Sequence, residues 1–168
     1  MGAHHYYLQV IPKRFVEKHK NDLANILEEQ DAWENEIPSS EFLGELRNLL
    51  PNDTSWGEVE EFESKNKWGS DVRIWKENNQ VRSIVFRYSP FADPLKLLEN
   101  FLNAVTNENS LLFARQSQAI LKPDILVILE DMKKSRACKF TSNPTSAIVD
   151  ASESVKDRIN KRLSDMEE

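Results

Sequence analysis

The chain has 168 residues, 39% of them apolar and 30% charged, with a formal net charge of −6 and a mean hydropathy of −0.60. That length suits one globular domain, and no run of about 18 apolar residues is present to span a bilayer. The carboxylate excess argues against nucleic-acid binding and against binding to an anionic membrane, both of which draw on surplus lysine and arginine.

His5 to Val10 is rich in strand formers and reads as a first strand that ends at Ile11-Pro12. Met1 to Val10 holds no cationic start followed by an apolar block, so no export signal is expected there. From Pro12 the period changes. Phe15, Val16, His19, Leu23, Ile26 and Leu27 recur at three- and four-residue steps, which predicts a helix. Gln30 to Pro38 reads as an acidic loop around Trp33. Ser39 or Ser40 then caps a helix that runs to Leu50, with Pro51 as its stop. Ser55-Trp56-Gly57-Glu58 has capping-box spacing, and Trp56, Val59 and Phe62 follow at helical intervals, so a further short helix is expected.

Ser70 to Lys76 and Val81 to Tyr88 predict a hairpin, because the asparagines of Glu77-Asn78-Asn79-Gln80 tolerate the positive φ of a tight turn. Val72 and Ile74 share one face with Ile84, Phe86 and Tyr88, and the other face is mixed. Asp93-Pro94 starts a helix that Asn107 to Asn109 end. Ser110 to Ala119 reads as another strand, and Lys122-Pro123-Asp124 opens a helix whose last turn carries Lys133 and Lys134. After a polar connection at 140–146, Ala147 to Leu163 forms a last, thinly apolar helix. The predicted fold is α+β, with a small, mainly antiparallel sheet of about four strands and helices over one face. Residues 1–146 form the domain and 147–168 a loosely docked amphipathic helix with a charged tail. The expected core includes Phe15, Leu23, Leu43, Leu46, Ile74, Ile84, Phe86, Leu98, Phe101 and Ile128.

No motif assigns a chemistry. Cys138 is the only cysteine, so neither an intramolecular disulfide nor a cysteine-based zinc cage can form, which suits a cytoplasmic protein. His4 and His5 are strand neighbours pointing to opposite sides, and His19 stands alone, so no metal site is expected. The glycines (Gly2, Gly44, Gly57, Gly69) are too scattered for a phosphate-binding loop, so no cofactor is expected either. Pro123-Asp124 with Asp131-Met132-Lys133 echoes a nuclease order, but its spacing falls inside one amphipathic helix. No catalytic residue is assigned.

Charge is lopsided. Between Glu28 and Glu63 twelve acids stand against Arg47 alone, which leaves −11 there and, against the total of −6, +5 elsewhere. The preferred expectation is therefore a non-catalytic module that binds or inhibits a basic protein, in the manner of an antitoxin or immunity protein. Trp33, Glu34, Glu36, Glu58, Glu60 and Glu61 are its candidate contact residues. One alternative is an anionic-ligand site or enzyme in which Arg73, Arg87 and Arg115 converge from different strands. The other is a subunit of a larger assembly, or a homodimer, docked through the C-terminal helix.

Overall fold

Alternation of side chains, period two, sets most of this molecule. The computed structural model describes residues 5–19 and 32–135. Among these residues there are seven strands: β1 (Tyr6–Pro12), β2 (Asn52–Asp53), β3 (Val59–Glu63), β4 (Asp71–Glu77), β5 (Gln80–Tyr88), β6 (Ser110–Ala114) and β7 (Ala119–Leu121). Among the same residues four helices accompany them: α1 (Lys13–Lys18), α2 (Ser40–Arg47), α3 (Leu95–Asn107) and α4 (Ile125–Lys134). The strands make one sheet in the order β2-β3-β4-β5-β1-β6-β7, antiparallel at every pairing. The α+β class holds, but the sheet has seven strands and not about four.

The two extra hairpins account for the difference. Trp56 and Val59 exchange backbone hydrogen bonds at 2.9 Å around Gly57-Glu58, and Gly57 takes φ +55°. A two-residue turn with positive φ at its first position alone is a hairpin turn that demands glycine. The three-residue steps from Trp56 to Val59 to Phe62 therefore mimic a helix while the chain makes a turn and a strand. Ser55 caps no helix. Its backbone N–H donates to Asp53 Oδ1, and its Oγ accepts from the Glu61 N–H. Further on, residues 115–118 turn the expected single strand of 110–119 into the β6–β7 pair.

Elsewhere the patterning holds. Asn78 and Asn79 sit at φ +51° and +63° in the β4–β5 turn, as its tightness requires. Ser39 caps α2 by accepting from Phe42 N–H, and its own N–H and hydroxyl donate to Glu108 just beyond α3, which fastens the two helices together. Asp124 caps α4 through Leu126 and Val127 N–H. Asp93 does not cap α3. Its carboxylate accepts from Ser64 Oγ at 2.6 Å, Asn66 Nδ2 at 2.8 Å and Ser70 N–H at 2.5 Å, so it pins loop 64–70 against loop 89–94.

Register brings Phe62, Val72, Phe86, Leu8 and Ala114 into one row, with Ile74 and Ile84 in the next. These residues face α2, α3 and α4, and the buried cluster includes Leu46, Leu98, Phe101 and Ile128. Phe101 lies over Phe86 with ring centroids 4.2 Å apart. Phe15 and Leu43 are half-buried against this core, while Leu23, Cys138 and the C-terminal helix expected at 147–163 fall outside the described residues. The Tyr6 hydroxyl donates to Asp131 Oδ2 at 2.5 Å, tying β1 to α4, and burial followed by that bond raises its pKa.

Two outcomes follow. Phe101→Ala removes the ring between α3 and the sheet and should cost about 3–5 kcal/mol by urea unfolding. For Asp93, burial pushes the carboxyl up, but the bonds from Ser64, Ser70 and Asn66 hold it below the ordinary 3.8. Its stabilisation is thus complete above 3.8 and disappears as pH falls through the lower folded value. The stability advantage of wild type over Asp93→Asn should therefore shrink on acidification below pH 3.8, read from thermal melts.

Candidate functional site

The face of the sheet opposite the core carries the chemistry. Its side chains are the odd members of the same alternation. Tyr7, Arg87, Asp71 and Glu63 form one row across β1, β5, β4 and β3. Phe113, Gln9, Val85, Arg73 and Glu61 form the next. Trp56, Val59, Trp75 and Ser83 form a third.

The middle of this face is ionic. Arg73 Nε donates to Glu61 Oε1 at 2.5 Å and lies 3.4 Å from Asp71 Oδ1. Arg87 grips Asp71 with Nε at 2.7 Å from Oδ1 and Nη2 at 2.5 Å from Oδ2, and Nη2 lies 3.6 Å from Glu61. The Arg87 guanidinium also lies 6.0 Å from the centre of the Tyr7 ring. Both carboxylates are buried. Burial opposes the charge on Arg87, but its bonds to Asp71 outweigh that and raise its pKa. Two carboxylates and two guanidinium groups thus neutralise one another in place.

Beside this network lies an apolar row. Trp56 is 65% exposed and Trp75 46% exposed, with half-buried Val59 between them in register. The Trp56 indole N–H points to Glu61 Oε2 at 3.4 Å, which sets that ring on the same face as the ionic network. Both rings stand on paired strands or a two-residue turn, so their directions are fixed by backbone hydrogen bonds.

The residues singled out from sequence scatter. Trp33 is 3% exposed: its indole N–H donates to Val10 O at 3.0 Å, and its ring stacks beside Phe42. It is a core residue and presents nothing to a partner. Glu34 and Glu36 lie in the loop before α2, 4.0 Å from Arg82 and 3.9 Å from Arg14. Glu60 and Glu61 are strand neighbours and so face opposite sides. Glu60 is held on the core side by Arg47 in a two-bond grip of 2.7 and 3.0 Å, and by Lys76. These bonds, Arg47 first, lower its pKa against the effect of burial. Glu58 is exposed in the β2–β3 turn and accepts from Asn78 N–H at 3.2 Å.

Arg73 and Arg87 do meet, but over Glu61 and Asp71, so their guanidinium groups are already engaged. Arg115, exposed in the β6–β7 turn, makes no ion pair among the described residues. The tryptophan row went unforeseen because a helical reading of 55–63 buries Trp56. Its one sequence signal was Trp75 on the mixed face of the predicted hairpin. Two grooves also exist. One, of about 560 Å³, lies between α2 and α3 beside Glu41, Glu45, Asn48, Asn100 and Asn103; the other, of about 390 Å³, lies beside β7 and α4. No group of three or more potential metal ligands occurs among the described residues, and no helix there is long and apolar enough to cross a membrane.

Asp71→Ala would leave the largely buried Arg87 cation without its main partner and should cost about 3–5 kcal/mol, whereas the double change Asp71→Val with Arg87→Leu should recover most of that loss. Urea unfolding of the three proteins checks it. Compared with known protein families, with curated proteins and with solved structures, the chain matches none.

Proposed function

We propose that this protein is a non-catalytic binding module that covers a basic protein partner through the second face of its sheet. The observation that carries this reading is the row in which exposed Trp56 and Trp75 flank half-buried Val59 on a paired strand surface. Tryptophans of that kind, with a small apolar residue between them, are the anchors on which protein interfaces concentrate affinity. A solvent-facing pair costs free energy in the isolated protein, which a partner would recover.

The sign of the partner follows from what is left unpaired. The central network cancels internally. Asp53, Glu58 and Glu63, on β2, the turn and β3, make no ion pair among the described residues. Glu58 stands in the turn beside the row, Glu63 lies on the same face at the far end of β3, and Asp53, paired with Phe62, faces the core side. A cationic partner would be steered by these groups and held by the rings. The acidic surface anticipated from composition thus narrows, on this face, to Glu58 and Glu63, with Trp56 and Trp75 taking the anchoring role that Trp33 cannot. An inhibitor that masks a basic protein, of the antitoxin or immunity type, fits this arrangement.

The test is capture from native cells, followed by binding kinetics with the purified partner. The partner should be basic. Trp75→Ala should weaken binding at least about tenfold, mainly through faster dissociation. Glu58→Gln with Glu63→Gln should slow association and flatten its dependence on salt. An acidic partner, or affinity indifferent to both tryptophans, would overturn the reading.

A further inference from the structure

At the other end of β3 and β4 from the Trp56–Val59–Trp75 row, two loops meet. Loop 64–70 joins β3 to β4 and loop 89–94 joins β5 to α3, and Asp93 holds them together. Asn66 adds a bond from Nδ2 to Ala92 O at 2.8 Å. Gly69 packs so closely that a Cβ there would sit 2.5 Å from Ser64 Cβ. On this stiff base Trp68 is 61% exposed and Phe91 is 74% exposed, with Leu95 also exposed at the start of α3.

Three local rules are broken here at once. Large rings face water together. Trp68 adopts φ +63°, a left-handed conformation that a bulky side chain takes only at a steric cost. Lys96 stands in the first turn of α3, where the helix dipole disfavours a cation and no acid accompanies it. Its ion-pair partner, Glu99, lies a turn further on at 3.3 Å. Departures of this kind gathered at one place are what a surface kept for something outside the fold shows.

The two loops and the first turn of α3 carry a local excess of cations, with Glu63 directly before them and Glu99 directly after. Every exposed ionisable side chain in the two loops and the first turn of α3 is a lysine: Lys65, Lys67 and Lys96. The carboxylate among them, Asp93, is buried. Lys67 Nζ lies 5.5 Å from the centre of the Trp68 ring, so cation and aromatic are displayed side by side.

We propose that this end of the sheet seats the protein on an anionic lipid surface. The Trp68 and Phe91 rings enter the headgroup layer, while Lys65, Lys67 and Lys96 meet lipid phosphates. Indole rings partition to that depth, and lysine stems carry their ammonium groups outward from it. The rings stand on two loops at the strand ends, an end-on presentation suited to a soft layer more than to a flat protein face. Salt screens charges more than about 8 Å from the surface, so repulsion between the lipid and carboxylates far from this tip is weak.

Cosedimentation of the full chain with phosphatidylcholine vesicles, with and without phosphatidylserine, tests this. Binding is expected only with phosphatidylserine and should weaken as salt rises. Trp68→Asn with Phe91→Ser should lower partitioning at least about tenfold, as should Lys65→Glu with Lys67→Glu. Asparagine tolerates the φ at position 68, and circular dichroism monitors folding. If the ring variant unfolds, the exposed lysine pair decides alone. Trp56→Ala with Trp75→Ala should leave vesicle binding unchanged, which separates this end from the partner face proposed above. No binding to phosphatidylserine vesicles, wild-type binding by the lysine variant, or binding to an acidic polypeptide such as polyglutamate with vesicles ignored would each overturn it.

Discussion

The position of β1 is the constraint on which the rest depends. The first strand enters the sheet between β5 and β6, antiparallel to both. It therefore joins the β2–β5 meander to the β6–β7 hairpin, and every residue of those strands takes its face from this register. Tyr6, Leu8 and Val10 on one side complete the apolar layer under α3 and α4. Tyr7 and Gln9 on the other side complete the rows of Arg87 and Val85. A slip of one residue would exchange the two sets, placing Tyr7 and Gln9 in the core and Leu8 among charges. The register is fixed because only one of these arrangements buries the apolar set.

Once one face is committed to the helices, the other is free to be polar, and it is specialised along its length. Its centre is a closed set of two carboxylates and two arginines that satisfies itself. Such a set contributes little net stability beyond an apolar patch of the same size, because desolvation offsets attraction. Its effect is to fix side-chain positions. Glu61 receives Arg73 on one oxygen and the Trp56 indole on the other, so the ionic centre also orients a ring of the apolar row. Of the carboxylates left over, Asp53 and Glu58 lie toward β2 and the Trp56 turn, while Glu63 ends β3 beside the lysine-bearing loop. Charge is thus unevenly spread, and a net charge of −6 describes neither end by itself.

Much of the fold was legible because its signals are local. The β4–β5 hairpin announced itself through Asn78-Asn79, α2 through Ser39, and α4 through Asp124 and its apolar stripe. Residues 55–63 were not legible, since Trp56, Val59 and Phe62 satisfy a helical period and a turn-plus-strand equally well. Only the pairing of β3 with β4 separates the two. The candidate site failed with that segment. On a helix Glu58, Glu60 and Glu61 would share a solvated surface, whereas on a strand Glu60 turns to Arg47 and Glu61 to Arg73.

By itself the sequence determined the α+β class, the apolar faces of α3 and α4, the sharp β4–β5 turn and the excess of acid before residue 64. These follow from composition and from interactions between residues a few positions apart. Tertiary structure alone decided that β1 is central, that Trp33 is buried while Trp56 is displayed, and which carboxylates keep a free charge. Those outcomes depend on partners far away in the chain. Val10 lies 23 residues from the indole it accepts, and Asp93 lies 29 residues from a serine it binds. No local pattern encodes such distances, because the free energy that selects them exists only when the strands have paired.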